Sequence, residues 1–295
     1  YVEALPLELG RHAEDGQDRA FLDAVGSHDL ADLGVGHAET GHGDSLSRNA
    51  ALAMHGPRPI PEGFVLGCRA NRMEILFVTT ELAPYVKVGG LADVSSALPK
   101  TLKSLGHRVT IVMPRYAAFE DAGLLMARRL TPLSLTLGNK TYGVTVYDGR
   151  LSSQVELTLV EVPGLFDRPG IYGEKGEDYA DNAVRFAVLA RAAAELAKQK
   201  AADGTPFDVV HANDWATAMV AKYMKDMGVA TPVVLTIHNV AHQGVFPKDA
   251  LAEIGLTKDD FTVDGVEFYG GVNLLKQGIL SADVVTTVSN TYAKE

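Results

Sequence analysis

Residues 79–94 read "TTELAPYVKVGGLADV", and this stretch decides the fold because it joins a strand-like run to a helix-like run. The preceding residues 73–78, "MEILFV", are short and apolar, which is typical of a buried parallel strand. The following residues 91–106, "LADVSSALPKTLKSLG", have apolar positions at helical spacing and stop at a glycine. Residues 108–114, "RVTIVMP", predict a second strand, and with it a strand–helix–strand unit with the usual right-handed crossover. Pro99 predicts a kink or a break within the helix.

The alternation of strand-like and helix-like runs continues along the chain. Further runs typical of strands are residues 207–212, 232–239 and 284–289. Runs typical of helices are residues 181–201, 214–228 and 272–283. Three β-rich runs separated by turn residues, at 133–137, 143–149 and 155–162, predict an insert of antiparallel strands or hairpins. The predicted fold is therefore α/β, a doubly wound, mostly parallel, Rossmann-like sheet with a small β-hairpin insert.

Composition argues against several classes of partner. The chain has 295 residues and a formal net charge of −10, which argues against nucleic acid as the main partner. No apolar run approaches the roughly 20 residues that a membrane-spanning helix needs, so we expect no membrane partner. Cys68 is the single cysteine, so a disulfide within the chain is excluded. We expect a reducing compartment, the cytoplasm, or the plastid stroma for a protein from a plant or alga.

Residues 1–72 differ chemically from the rest. They contain no lysine, show no sustained strand or helix period, and hold five of the nine histidines. The spacing of these histidines matches no zinc pattern, so we expect no metal site. The sequence predicts a disordered or non-native N-terminal extension at residues 1–72 and a folded domain at residues 73–295. In the non-native reading, Met73 is the natural start of the protein.

Lys87 and the glycine pair Gly89–Gly90 lie where the first strand passes into the first helix. The glycines let the backbone approach a ligand closely, and the helix N-terminus offers its amides to an anion. Lys87 adds a full positive charge. The spacing matches neither GxGxxG nor a P-loop, so a phosphate site and a plain tight turn both remain open.

Polar residues follow two later predicted strands, and ligands of open parallel sheets bind at the carboxyl ends of the strands. These two clusters are His211, Asn213, Asp214 and Trp215, and then His238, Asn239, His242 and Gln243. Asp214 is either a helix cap or a site residue, and Trp215 is either a core residue or a platform for a sugar ring. The loop "LFDRPGIYGEKGEDYADN", residues 165–182, has the composition of a binding loop or of an ordinary surface loop.

Several stretches, in this order, resemble the bacterial glycogen synthase and plant starch synthase family. They are "KVGGLADVSSALPKTLKSLGHRVTIVMPRY", "PGLFDRPGIYG", "YADNAVRF", "DVVHANDWAT", "TIHNVAHQG" and "VSNTYAKE". The resemblance covers residues 73–295 and none of residues 1–72. Val88 stands where the family usually has Thr, and Asn213 stands where many members have His.

The resemblance implies the amino-terminal, acceptor-side half of a GT-B fold, in which two Rossmann-like domains face each other across a cleft. It implies transfer of glucose from ADP-glucose to the non-reducing end of an α-1,4-glucan, glycogen or starch, with retention at the anomeric carbon. No metal and no cofactor would be required. The second domain would supply most of the nucleotide pocket, so we expect a fragment that folds but does not elongate glucan by itself.

The resemblance also implies roles for individual residues. Lys87, with the backbone of Gly89 and Gly90, would neutralise the diphosphate of the donor. The catalytic residues would be His238 and Asp214. His238 would orient the donor glucose and stabilise an oxocarbenium-like centre, and Asp214 would support the sugar or acceptor side of the cleft. Further contacts to the sugar or the acceptor would come from Asp93, Tyr172, Trp215 and Asn239, and Asp93 would also order the glycine loop.

Three other functions remain as alternatives. A sucrose- or trehalose-phosphate-type GT-B transferase is disfavoured by the complete "TIHNVAHQG" and "HANDW" motifs. A non-catalytic glucan-binding protein is disfavoured because Lys87, Asp214 and His238 are all present. A nicotinamide-dependent oxidoreductase is disfavoured because no GxGxxG motif follows the first strand.

Overall fold

The structure, a computed structural model, describes residues 72–120 and 122–293. The predictions made for residues 1–71, including those for the five histidines, lie outside the described residues. The strands, in chain order, are β1 (Glu74–Val78), β2 (Arg108–Pro114), β3 (Met126–Arg128), β4 (Leu133–Leu137), β5 (Lys140–Arg150), β6 (Glu156–Glu161), β7 (Gly173–Glu174), β8 (Glu177–Asp178), β9 (Val209–Asn213), β10 (Val233–Ile237), β11 (Val245–Phe246), β12 (Glu267–Phe268), β13 (Gly271–Asn273) and β14 (Val284–Thr287). The helices are α1 (Leu91–Ser104), α2 (Asn182–Ala202), α3 (Trp215–Asp226), α4 (Ala250–Glu253) and α5 (Leu274–Ser281).

The central sheet has the strand order β14-β10-β9-β1-β2-β6-β5-β3, and β4 pairs with β5. The six strands from β14 to β6 are parallel to their neighbours. The chain moves from β1 to β2 in one direction and later returns to place β9 on the other side of β1. This reversal makes the gap beyond the carboxyl ends of β1 and β9 the topological switch point, where open α/β sheets bind ligands. The predicted doubly wound, mostly parallel α/β sheet is confirmed.

The predicted β-rich insert is partly wrong. Strands β4 and β5 form the expected antiparallel hairpin. Strand β6, which was predicted to belong to the insert, is a member of the main sheet, parallel to β2 and antiparallel to β5. An apolar strand of this length fits either the insert or the main sheet. Its sequence pattern predicts that it is buried but does not predict which strand it pairs with.

Helix α1 runs unbroken through Pro99, so the predicted break is wrong. Leu91, Ser95 and Pro99 are buried and lie four residues apart, so the proline ring belongs to the buried stripe of the helix. The packing of this stripe offsets the hydrogen bond that the proline cannot donate.

Helix α2 carries much of the core. Its buried residues include an almost continuous run from Asn182 to Ala190. It packs on α3, and α3 packs on α5. The alanine-rich surface of α2 permits this close approach of helices. Among the described residues, no helix combines the length and the apolar character needed to cross a bilayer.

The β4–β5 hairpin is fitted against α4 at Gly138. This glycine has φ +53°, and a Cβ atom there would lie 2.0 Å from the carbonyl oxygen of Ala252. We predict that Gly138→Ala lowers the free energy of unfolding by about 2–4 kcal/mol, from left-handed backbone strain plus steric overlap. The matched control is Gly228→Ala, with φ +65° and open space around the added methyl group, which should cost only about 1 kcal/mol. Urea unfolding of the parent and the two variants measures both losses of free energy. Equal losses in the two variants would show that the hairpin does not depend on the contact between Gly138 and Ala252.

Candidate functional site

Three neighbouring strands bring the predicted site residues to one edge of the sheet. Val78 at the end of β1 pairs with Ala212 of β9, and Asn213 at the end of β9 pairs with Thr236 of β10. Lys87 and the glycine pair therefore follow β1, Asp214 follows β9, and His238 follows β10, all at the carboxyl edge of the central sheet.

Lys87 is exposed and forms an ion pair with the first turn of α1. Its Nζ atom donates to both carboxylate oxygens of Asp93, at 2.8 Å each. Both side chains are more than half exposed, so the pair contributes at most about 1 kcal/mol and is readily exchanged for another anion. Gly90 occupies the N-cap position of α1 and provides no side-chain cap for the first turn of the helix. This end of α1 thus presents a cation and uncapped helical amides on the same side.

Glu81 is a site residue that the sequence analysis missed. Its carboxylate is buried, and Oε2 accepts the backbone N–H groups of Val88 at 2.8 Å and Gly89 at 2.9 Å. Its Oε1 accepts a hydrogen bond of 3.1 Å from the hydroxyl of Tyr172. The only signal in the sequence is an acidic residue just after an apolar strand. The lysine and the glycine pair that follow are the more conspicuous candidates for a site.

Asp214 reaches across to the next strand instead of capping its own helix. It occupies the N-cap position of α3 but makes no side-chain cap hydrogen bond. Its Oδ1 accepts the backbone N–H of His238 at 2.7 Å. Burial raises the pKa of Asp214, while His238 and the backbone N–H of Asn239 act in the opposite direction. The carboxylate thereby fixes the start of the loop that follows β10.

Asn213 fixes the imidazole of His238. Its Nδ2 donates to the carbonyl oxygen of Val78 at 3.0 Å, which leaves Oδ1 as an acceptor for Nε2 of His238 at 3.2 Å. Nε2 must therefore carry a proton. Within residues 72–120 and 122–293, Nδ1 of His238 has no hydrogen-bond partner, so this atom remains available to a ligand.

His211 lies beside the site and is held neutral. Its Nε2 shares a hydrogen bond of 2.6 Å with the hydroxyl of Thr236, and its ring packs edge-on against Phe77. Burial lowers the pKa of His211 to about 4, with a further contribution from the charge of His238. His211 is thus a packing and hydrogen-bonding residue at neutral pH.

Trp215 is part of an aromatic cluster. Its ring lies 5.1 Å from Phe186, 5.9 Å from Phe246 and 6.1 Å from Tyr172, measured between centroids. A Cβ atom at Gly244 would lie 2.3 Å from the indole, so the backbone of the loop after β10 covers part of the ring. These contacts favour the interpretation of Trp215 as a core residue. A sugar contact through the remaining edge of its ring stays a prediction.

The remaining predicted contacts lie at the same edge. Asn239 is exposed, and its side chain accepts the N–H of Ala241 in a local turn. Tyr172 is mostly buried, and its hydroxyl bonds to Thr80 at 2.7 Å as well as to Glu81. Burial, and then the charge of Glu81, raise the pKa of Tyr172 well above its ordinary value, so the hydroxyl stays protonated.

The loop of residues 165–182 is anchored by Arg185, another residue that the sequence analysis missed. This fully buried guanidinium donates to the carbonyl oxygens of Leu165 and Ile171 and to Oδ1 of Asn182. Arg168 adds an ion pair to Asp181 at 2.6 Å. The loop therefore has a fixed base. An arginine within an alanine-rich helix was the available sequence signal.

The described residues contain no cluster of three or more His, Cys, Asp or Glu side chains arranged to hold a metal ion. The expectation that no metal is required stays a prediction.

The neutral, buried His211 predicts a dependence of stability on pH. The folded pKa of about 4 lies below the unfolded value of 6.5, so the unfolded state binds the proton first as the pH falls. The contribution of His211 to the free energy of unfolding is therefore complete above pH 6.5 and is lost on acidification towards pH 4. The loss from this group is about 3 kcal/mol. His211→Gln keeps a polar partner for Thr236 but does not titrate.

Urea unfolding of both proteins at pH 7 and pH 4.5 tests this. The parent should lose about 2.4 kcal/mol more than the variant between the two pH values. Asp214 is present in both proteins, so its opposite contribution largely cancels in the difference. Identical pH dependence in the two proteins would contradict the assignment of His211.

Comparison with known proteins places this geometry in a family. The family model of the starch synthase catalytic domain matches residues 74–295. Among curated relatives, the glycogen synthase of Geotalea uraniireducens (strain Rf4) is 41% identical over 238 residues. Glycogen synthase 2 of Geobacter metallireducens is 42% identical over 229 residues. Each match covers 76% of this chain and 46% of the relative, so the chain spans about half the length of these relatives.

A solved structure agrees with this assignment. The catalytic domain of starch synthase IV from Arabidopsis thaliana, bound to ADP and acarbose, superposes with a TM-score of 0.68 at 30% identity. The match covers 76% of this chain and 46% of that one. Since the family model covers well over half of the chain, and its solved relative shares the fold, this chain belongs to the starch synthase catalytic domain family.

Proposed function

We propose that the protein carrying this chain transfers glucose from ADP-glucose to the non-reducing end of an α-1,4-glucan, with retention of configuration. The observation that carries the proposal is the shared edge of β1, β9 and β10. It holds the exposed cation Lys87, the uncapped N-terminus of α1 and the imidazole of His238. The starch synthase IV relative has ADP and acarbose bound, and ADP is the product that an ADP-glucose donor would leave.

The chemistry of the reaction asks for opposite charges at two places. The sugar–phosphate bond breaks by building negative charge on the diphosphate and positive charge on the glucose ring. Lys87 and the first turn of α1 stabilise the leaving diphosphate, because a fixed cation and helical amides favour charge that develops in the transition state. Lys87 leaves Asp93 to do so, and the exposed pair costs little to break.

His238 and Asp214 serve the sugar side. Nε2 of His238 is committed to Asn213, so Nδ1 is the atom that faces the donor glucose. The Asp214 carboxylate is held by the backbone N–H of His238 and brings negative charge to the same edge. Negative charge there favours an oxocarbenium-like ring over the neutral ground state.

The two carboxylates that hold the loops of the site, Glu81 and Asp214, do not suit a glycosidase. A retaining glycosidase needs one carboxylate as nucleophile and another as acid across the same bond. Glu81 accepts two backbone N–H groups and a tyrosine hydroxyl, and Asp214 accepts a backbone N–H. Both carboxylates therefore hold loops in place. This arrangement favours a transferase, in which cations stabilise the leaving group.

We predict that Lys87→Gln in the full-length gene product lowers kcat/KM for ADP-glucose about 10²–10³-fold, because the diphosphate loses its cation. The matched control is Lys100→Gln, which removes an exposed lysine from helix α1, further along the chain than the glycine loop. Initial rates of glucose incorporation into glycogen measure both variants. An effect of Lys87→Gln no larger than that of Lys100→Gln would refute the phosphate role.

We also predict that the 295-residue chain alone folds but does not elongate glucan. Lys87 is the single Lys or Arg in residues 79–90, the segment between β1 and α1, whereas a leaving diphosphate carries several negative charges. The test is labelled glucose transfer from ADP-glucose to glycogen, with the full-length gene product as the positive control. Glucan elongation by the purified 295-residue chain would contradict the prediction, and cosedimentation with glycogen without turnover by the full-length product would favour a binding protein instead.

A further inference from the structure

The backbone amides of the glycine loop are already occupied by an anion from the protein itself. Val88 and Gly89 both point their N–H groups at Oε2 of Glu81. Successive backbone N–H groups that converge in this way form an anion-binding concavity. Since Glu81 is only 4% exposed, the carboxylate fills this concavity from beneath the loop. A ligand phosphate that approaches from solvent meets Lys87 and the start of α1, while these two amides are already bound.

The second oxygen of Glu81 ties the glycine loop to a distant segment. Tyr172, 91 residues further along the chain, donates its hydroxyl to Oε1. The same hydroxyl shares a hydrogen bond with Thr80, which lies directly beside Glu81. Tyr172 belongs to the loop that Arg185 anchors at its base through the carbonyl oxygen of Ile171. Glu81 is therefore the point where two loops of the candidate site are joined.

The burial of Glu81 makes its hydrogen bonds decisive. A buried carboxylate is costly unless hydrogen bonds stabilise it, and three donors surround this one. Within the described residues no Lys, Arg or His forms an ion pair with Glu81. Its stabilisation thus depends on the two loops keeping their positions, and the positions of the loops depend on the carboxylate.

We propose that Glu81 is a positioning residue for the donor: it fixes the glycine loop so that Lys87 and the N-terminus of α1 meet the diphosphate. This inference rests on the proposed function. Its physical basis is preorganisation, because a loop that is already in place does not lose conformational freedom when the donor binds. Removing the carboxylate frees the amides of Val88 and Gly89 and loosens the loop.

The kinetic test uses the full-length gene product with the variants Glu81→Ala, Glu81→Gln and Tyr172→Phe. Glu81→Ala should raise KM for ADP-glucose at least 10-fold, with a smaller fall in kcat and an unchanged KM for glycogen. Glu81→Gln, whose amide oxygen can still accept both N–H groups, should restore KM to within about threefold. Tyr172→Phe should have an intermediate effect, because one of the three hydrogen bonds of Glu81 is lost.

The matched control for loss of a buried tyrosine hydroxyl is Tyr223→Phe. Tyr223 is more deeply buried than Tyr172 and donates to the carbonyl oxygen of Ile254, away from the strand ends of the site. This variant should lose stability without any change in KM for ADP-glucose. If Tyr223→Phe and the Glu81 variants all change the two KM values and kcat alike, Glu81 has only a general structural role and the inference is overturned.

A second measurement separates this inference from the proposed function. Amide hydrogen exchange of the 295-residue chain should show faster exchange at Val88 and Gly89 in Glu81→Ala, and near-parent exchange in Glu81→Gln. Exchange in α2 should stay unchanged. If the full-length gene product does not use ADP-glucose, the proposed function fails and the donor role of Glu81 fails with it. Faster exchange at Val88 and Gly89 would still support its anchoring of the loop, whereas parent-like exchange in Glu81→Ala would overturn that anchoring whatever the reaction.

Discussion

The candidate site depends on the backbone of Asp214. Its dihedral angles, φ 57° and ψ −179°, lie in a region that is nearly reserved for glycine and costs about 1–3 kcal/mol for another residue. The surrounding hydrogen bonds hold it there. Its N–H donates to the carbonyl oxygen of Thr236, and its carboxylate accepts the N–H of His238. This strained turn directs the carboxylate away from α3 and onto the loop after β10, which fixes the start of the His238 segment.

Glu81 and Asp214 have the same structural role at two strand ends, which is to hold a loop by its backbone N–H groups. Each carboxylate lies at the end of one strand and accepts backbone N–H groups from a loop, after β1 in one case and after β10 in the other. These hydrogen bonds hold the starts of the two loops. Two groups can still meet a ligand: the Nζ atom of Lys87, which is in an exposed ion pair, and Nδ1 of His238, which has no hydrogen-bond partner within the described residues. The burial of the two charges is offset by these hydrogen bonds. The same charges repel an anion at this edge, so the proposed diphosphate site depends on the exposed cation Lys87 at the β1 end.

The sequence predicts the sheet and its edge but not the direction of the side chains there. Buried parallel strands are continuous apolar runs, so β1, β2, β9 and β10 are recognisable, and their carboxyl ends mark the edge that ligands use. Asp214 was compatible with a helix cap because that is the common role for Asp before a helix. Only the left-handed backbone at this residue reveals the other role, and no local propensity predicts such a conformation for Asp. Glu81 escaped notice for a related reason, since its three donors come from two loops that are distant in sequence.

Tyr172 shows how a residue that was expected to contact the sugar acts first within the protein. Its hydroxyl is bonded to Thr80 and Glu81, and its ring lies in the aromatic cluster with Trp215. The loop that carries it has a base fixed by Arg185, whereas the hairpin of β7 and β8 at its far end is mostly exposed. The base of this loop is therefore fixed by buried hydrogen bonds, and Tyr172 connects it to the glycine loop through Glu81. Both loops of the site are bonded to the same buried carboxylate, which accepts the backbone N–H of Val88, the residue next to Lys87.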